Sequence, residues 1–196
     1  DTTEDFYLCA GQAVGYKRVD LAVQAFTRMG RNLVIIGEGP EIKRLKAMAG
    51  PTVQFLGRTP FHVLKQKMAQ CRALIFPGEE DFGIVPVEVM ASGRPVIAYG
   101  SGGALETVVD GETGILFDEQ SVDALIEAVE RFERENKTFD RDAIIRHASA
   151  FGVDRFKAEM SSVIQEELAV HRSGSVALPG PRPQRVSTGR EVSTVH

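Results

Sequence analysis

The sequence contains no tryptophan and only two cysteines and four histidines among its 196 residues. Cys9 and Cys71 are too few for a disulfide framework, and both lie in apolar runs, so we expect free, buried thiols in a reducing compartment. No apolar run approaches the roughly 20 residues that span a bilayer. A net charge of −4 disfavours nucleic acid as a partner, because nucleic-acid-binding proteins usually carry a basic face. The histidines show no metal-ligand spacing, and we predict no metal site.

The composition is that of a globular protein, with 43% hydrophobic and 26% charged residues. The charge is divided unevenly along the chain. Residues 172–196 contain four arginines and one glutamate, a charge of +3, and little recurring apolar sequence. We predict that this segment is a flexible basic tail. Because the whole chain carries −4, residues 1–171 carry −7.

Short apolar runs alternate with amphipathic stretches between residues 6 and 171. Apolar runs of four or five residues are typical of strands buried on both faces of a parallel sheet. Their regular succession with helices predicts an α/β fold, a doubly wound Rossmann-like parallel sheet of about six strands with helices on both faces. The predicted strands are 7–10, 32–36, 53–56, 73–76, 95–98 and 114–117. The predicted helices are 19–29, 41–49, 61–70, 85–91, a short turn at 104–108, 121–135, 142–150 and 153–169, with Ser121, Asp123, Thr138 and Asp140 as N-cap residues.

The loops that follow the predicted strands contain nearly all the glycines of the sheet region. Ligands of such sheets bind where these loops converge, and the glycines indicate that the backbone comes close to something in several of the loops at once. One loop, Gly37-Glu38-Gly39, begins like a dinucleotide fingerprint. Ile42 occupies the third glycine position, and residues 53–58 offer no acidic partner for a ribose. A hydride-transfer cofactor is therefore disfavoured.

The segment 77–91 carries the strongest functional signal. Three acids, residues 79–81, follow a strand, and Glu88 lies eight residues after Glu80, so both carboxylates can face one pocket. Gly83 leaves its own amide and that of Ile84 unshielded at the start of a helix, where an anion is favoured. Carboxylates beside an anion site suit a ligand that also offers hydroxyls, such as a nucleotide sugar. A solvated acidic loop and a favourable first-turn glutamate remain the alternative interpretation.

Two further motifs have simpler alternatives. Lys17, in the loop after the first strand, is placed to reach a phosphate, although a lysine there is often only solvated. Asp140-Arg141-Asp142 has the form of a metal-binding Asp-x-Asp motif. It opens a helix, however, so we interpret Asp140 as a cap and Asp142 as a dipole-compensating acid.

Glu80 and Glu88, within the segment 80–98, resemble the Glu-x7-Glu signature of retaining GT-B glycosyltransferases, glycosyltransferase family 4. The flanking segments 16–21, 36–40, 55–57 and 102–108 match the same family, so the resemblance covers roughly residues 6–170. It looks most like bacterial polysaccharide-assembly enzymes of the mannosyltransferase kind.

The resemblance implies a role for each matching residue. Glu80 would bind hydroxyls of the donor sugar, and Lys17 would neutralise the departing diphosphate; these are the expected catalytic residues. The expected donor-binding residues are Arg18, Gly57, Arg58, Phe82, Gly83, Ile84 and Glu88. Among them, Glu88 would hold the ribose, the amides of Gly83 and Ile84 the sugar and diphosphate, and Gly57 and Arg58 the base. Gln12 stands where the family commonly has an arginine, so Arg18 or another residue would complete the diphosphate clamp.

The resemblance further implies a nucleotide-sugar-dependent hexosyltransferase of cell-surface polysaccharide synthesis, with mannose from GDP-mannose as the first candidate donor. The acceptor would be a saccharide or a lipid-linked saccharide. Residues 1–171 would be the donor-binding domain, and its partners a GDP- or UDP-linked sugar and an N-terminal acceptor domain outside this chain, without which little transfer is expected. No cofactor is expected. The location would be cytoplasmic, with contact at the inner face of the membrane only through the acceptor half or a lipid-linked acceptor. A non-catalytic nucleotide-binding module and a sugar-nucleotide epimerase remain alternatives.

Overall fold

A computed structural model of the chain describes residues 3–135 and 139–172. Its centre is one sheet of six strands, all paired in parallel, in the order β3-β2-β1-β4-β5-β6. The strands are β1 (Tyr7–Ala10), β2 (Leu33–Ile36), β3 (Val53–Gly57), β4 (Leu74–Phe76), β5 (Val96–Tyr99) and β6 (Gly114–Phe117). The predicted doubly wound α/β fold with six parallel strands is confirmed.

Helices follow the strands at nearly the predicted positions. They are α1 (Val19–Met29), α2 (Ile42–Met48), α3 (Phe61–Gln70), α4 (Ile84–Ala91), α5 (Ala104–Thr107), α6 (Val122–Glu135), α7 (Arg141–Ser149) and α8 (Val153–Arg172). Asp140 caps α7 as predicted, because its carboxylate accepts from the amides of Asp142 at 2.8 Å and Ala143 at 3.3 Å. The predicted cap at Thr138 and the predicted tail beyond residue 172 lie outside the described residues.

The core lies on both faces of the sheet, because successive residues of each strand point to opposite sides. In β1, Tyr7 and Cys9 pack into one apolar layer, and Leu8 packs into the other. All four residues of β2 are buried. This two-sided burial is the reason that the strands are continuous apolar runs.

Residues 3–152 form one compact unit, and α8 belongs to a second. No residue of α8 is buried. Its exposed apolar side chains include Phe156, Met160, Ile164 and Leu168, which recur every fourth residue and so share one helix face. Within the two described ranges, no helix is both long and apolar enough to cross a membrane.

Three weakly acidic side chains are buried in the sheet unit. Cys9 and Cys71 are free, buried thiols, as predicted, and burial raises the pKa of each to about 12. The hydroxyl of Tyr7 donates a hydrogen bond to Glu133. Burial, reinforced by this carboxylate, raises the pKa of Tyr7 above its ordinary value.

We therefore expect the fold to weaken in alkaline solution. An unfolded thiol ionises near pH 9, whereas both buried thiols hold their protons to about pH 12. Because these folded-state pKa values are raised, the thiols' contribution to stability is complete below pH 9 and is lost as the pH rises toward 12. The free energy of unfolding in urea, measured at pH 8 and pH 10.5, should fall less in the Cys9→Ala/Cys71→Ala variant than in the wild type. An equal fall in both proteins would contradict the assignment.

Candidate functional site

The strand order defines a crevice at the centre of the sheet. β1 and β4 are neighbours, and from them the chain winds outward in opposite directions, to β2 and β3 on one side and to β5 and β6 on the other. The loops that leave the carboxyl ends of β1 and β4 therefore diverge. Ligands of doubly wound sheets bind at such a point. Here these loops are residues 11–18 and 77–83.

The glycines of this edge bring the loops into direct contact with one another. A Cβ atom on Gly37 would lie 1.8 Å from the carbonyl oxygen of Gly11, and one on Gly102 would lie 2.5 Å from that of Glu80. A Cβ on Gly78 would lie 2.6 Å from the Cα atom of Lys17. The sequence predicted that the backbone comes close to something in several of these loops at once. The structure shows that the glycines allow each loop to pack against the next.

Lys17 and Glu80 form an ion pair across the crevice. Lys17 ends the short 3₁₀ turn Gly15–Lys17 after β1, and Glu80 lies in the loop after β4. The Lys17 Nζ and Glu80 Oε1 atoms are 2.8 Å apart, and the two side chains are only 19% and 21% exposed. The Glu80 Oε1 atom is buried and makes no hydrogen bond of regular geometry to any described residue, so the Lys17 ammonium is its charge partner. The structure thus unites the two predicted catalytic residues.

A cavity of about 640 Å³ opens beside this ion pair. It is lined by Tyr16, Lys17, residues 79–83, Ile84 and Val85. Gly83, with a φ of 79°, is the N-cap residue of α4, and no described side chain caps this helix end. The first residues of α4 thus line the cavity, and no described side chain accepts from their amides, as an anion-binding helix N-terminus requires.

A second cavity of about 350 Å³ lies on the other side of β1. Gly11, Gln12, Gly37, Glu38 and Arg58 line it. Of the two, Lys17 lines only the larger cavity, but Gly11 of the smaller one is its neighbour, because a Cβ on Gly11 would lie 3.3 Å from the Lys17 Nζ atom. Two cavities on either side of one cation fit a ligand with two bulky ends and a central anion.

Some predicted site residues lie away from these cavities. The guanidinium of Arg18 pairs with Asp20 at 3.2 Å. Glu88 is exposed on α4 and lines neither cavity. Gly57 closes β3, and its carbonyl accepts a hydrogen bond from the Gly37 amide at 2.9 Å. The roles assigned to these three residues stay predictions.

Two aromatic residues at the site were not anticipated from the sequence. Tyr16 is 61% exposed and lines the larger cavity; its position next to Lys17 was the available signal. The ring of Phe151 meets that of the predicted residue Phe82 edge-to-face, with centroids 5.9 Å apart. No local pattern indicates this contact, because the two residues are 69 positions apart in the sequence.

A third cavity, of about 520 Å³, lies at the opposite edge of the sheet. It is lined in part by Arg72 and Arg94, which precede β4 and β5. Arg72 pairs there with Asp5 and Glu133, each at 3.0 Å. The strand-to-helix loops do not converge at this edge, so it is not the crevice in which such folds bind ligands. No cluster of three or more potential metal ligands occurs in the part of the chain that the structure describes.

Comparison with solved structures identifies the class of fold. The fold is that of GT-B glycosyltransferases: the Anabaena protein HepE, solved in complex with UDP and glucose, superposes with a TM-score of 0.73 at 22% sequence identity, over 83% of this chain and 48% of that one. The family follows from the sequence. The model of the family "Glycosyl transferases group 1" matches residues 1–149, and the chain belongs to this family.

Curated relatives carry the same assignment. A glycosyltransferase of Methanocaldococcus jannaschii is 33% identical over 130 residues, which cover 64% of this chain and 37% of the relative. The GDP-mannose-dependent α-(1-6)-phosphatidylinositol monomannoside mannosyltransferase of Mycolicibacterium smegmatis is 34% identical over 140 residues, which cover 62% and 37%. The chain therefore spans less than two fifths of the length of these relatives.

The loop contacts predict that two glycine substitutions will lower the free energy of unfolding by very different amounts. Gly37→Ala would force a methyl group onto the Gly11 carbonyl in a backbone conformation, φ 139°, that alanine rarely adopts. We expect it to lower the free energy of unfolding by about 2–4 kcal/mol. Gly15→Ala is the matched control, because a Cβ at Gly15 meets no atom within 4 Å, and it should change stability by less than about 0.5 kcal/mol. Equal effects in urea unfolding would show that the loops are not in contact.

Proposed function

We propose that this chain is the donor-binding part of a retaining, nucleotide-sugar-dependent hexosyltransferase that transfers a sugar to a saccharide or lipid-linked acceptor. The observation that carries the proposal is the largely buried ion pair of Lys17 with Glu80 at the crevice of the sheet, with the larger cavity beside it and the smaller cavity at the adjoining residue Gly11. A nucleoside diphosphate sugar has the matching shape, because its diphosphate lies between a nucleoside and a hexose.

The chemistry of the lining supports a position for each part of the donor. The nucleoside would occupy the smaller cavity beside Arg58, and the hexose the larger one, where Glu80 can accept hydrogen bonds from its hydroxyls. The diphosphate would lie over Lys17 and the amides of Gly83 and Ile84. Glu88 would reach the ribose only if the donor extended along α4. Arg58 also supplies the smaller cavity with the positive charge that Gln12 lacks.

The proposed reaction breaks the bond between the anomeric carbon and the diphosphate through an oxocarbenium-like state. The negative charge that develops on the leaving diphosphate would be stabilised by the Lys17 ammonium and the first amides of α4. Loss of one such preorganised contact costs about 3 kcal/mol, a rate factor of roughly a hundred or more. No metal ion is required for this stabilisation.

The similar proteins use or bind different nucleotide sugars, so they narrow the choice of donor but do not identify it. The mycolicibacterial relative uses GDP-mannose, and the Anabaena structure holds UDP and glucose. We favour mannose from GDP-mannose, because sequence similarity to the mannosyltransferase is higher. Since the match covers only 37% of each relative, the acceptor would bind largely to other parts of the protein, and this chain alone would bind the donor without efficient transfer.

Titration calorimetry tests the donor site directly. The chain should bind GDP or UDP saturably, and Lys17→Met should weaken that binding about tenfold or more, because a charge-assisted contact to phosphate is lost. Lys65→Met is the matched control: it removes the same charge from the exposed face of α3 and should leave binding unchanged. Absence of saturable binding by either nucleotide, or equal effects of the two substitutions, would refute the proposal.

A further inference from the structure

The ion pair between Lys17 and Glu80 sets a condition on any anion that binds at the crevice. Glu80 Oε1 lies 2.8 Å from the Lys17 ammonium, and both side chains are about four-fifths buried. An incoming diphosphate needs the same ammonium. Binding of the diphosphate must therefore break this ion pair or place a second anion beside the Glu80 carboxylate.

The charge around the larger cavity makes both of these outcomes, a broken ion pair or two adjacent anions, unfavourable for a bare diphosphate. The lining carries the three acids Glu79, Glu80 and Asp81 against the single ammonium of Lys17. If a diphosphate takes the ammonium, the carboxylate of Glu80 is left partly buried and without its counter-ion, which is costly. The like charges also repel each other at short range.

A sugar attached to the diphosphate changes this balance. The hydroxyls of a hexose in the larger cavity can donate hydrogen bonds to the Glu80 carboxylate, and such bonds to a charged acceptor are stronger than neutral ones. The sugar thus gives Glu80 new partners as the phosphates take Lys17. A bare nucleoside diphosphate offers Glu80 no such donors at this position.

This inference rests on the proposed function. We propose that Glu80 is a specificity-determining residue: its carboxylate competes with the diphosphate for Lys17, so that the site favours the sugar-bearing donor over the bare nucleoside diphosphate. The same competition would speed release of the nucleoside diphosphate once the sugar has been transferred. Glu80 therefore acts against binding of the product, in addition to its expected contact with the sugar.

Calorimetry on the whole chain, with GDP against GDP-mannose and UDP against UDP-glucose, tests this inference. Glu80→Gln keeps the size of the side chain and removes its charge. We expect the variant to bind the bare nucleoside diphosphate about tenfold more tightly than the wild type and the sugar-bearing donor more weakly, so that the preference for the donor falls. Unchanged or weaker binding of the bare nucleotide by Glu80→Gln, while the wild type binds it, would overturn the inference and leave the proposed function intact.

Two controls test whether the ion pair, rather than a general change in charge, causes the change in nucleotide affinity. Glu79→Gln removes the same charge from the neighbouring position without touching the ion pair, and it should tighten nucleotide binding by about twofold at most; a gain equal to that of Glu80→Gln would overturn the inference. In a Lys17→Met background, Glu80→Gln should lose most of its effect on the bare nucleotide, and a full effect there would also overturn it. Thermal unfolding followed by circular dichroism checks that each variant is folded. No binding of any of these ligands by the wild type would instead refute the proposed function.

Discussion

Direct contact between neighbouring loops at the carboxyl edge of the sheet is the constraint on which the site depends. The loop after β1 touches the loop after β2 at Gly11 and Gly37, and it touches the loop after β4 at Lys17 and Gly78. A side chain at Gly37 or Gly78 would separate two loops. Because interiors are packed without slack, these contacts hold Lys17 opposite Glu80 although the two residues belong to different strand–helix units.

Electrostatics then gives this edge its chemical character. The body of the chain is acidic, and the loop 79–81 adds three carboxylates at the crevice. Against them stand the Lys17 ammonium and the uncapped N-terminus of α4. The crevice thus presents positive groups beside its carboxylates. The surrounding carboxylates match the hydroxyl groups of a sugar better than they match a phosphate alone.

The sequence predicted the fold more completely than the site, for a physical reason. Strands such as β2 are continuous apolar runs because both faces of the sheet are covered, and this pattern is local. The cap at Asp140 is equally local and was predicted correctly. Site geometry is not local. Lys17 and Glu80 were each singled out, but their ion pair joins residues 63 positions apart, and the partners of the loop glycines are other loops that no sequence pattern identifies.

Two side chains show what sequence spacing alone leaves undetermined. Glu80 and Glu88 have a separation that allows a common pocket, yet Glu88 lies one helical turn beyond Ile84 and lines neither cavity at the crevice. Arg18 adjoins Lys17 in sequence, but its φ of 47° and its ion pair with Asp20 direct it elsewhere. Adjacent residues in a tight turn point in different directions, so sequence proximity to the predicted catalytic lysine is weak evidence for a shared role.

A crystal structure of this chain with a bound nucleoside diphosphate sugar would test the central claim most directly. The diphosphate is predicted to lie within hydrogen-bonding distance of the Lys17 Nζ atom and the amides of Gly83 and Ile84, with the hexose against Glu80. A diphosphate bound instead at the opposite edge of the sheet, beside Arg72 and Arg94, would contradict the claim.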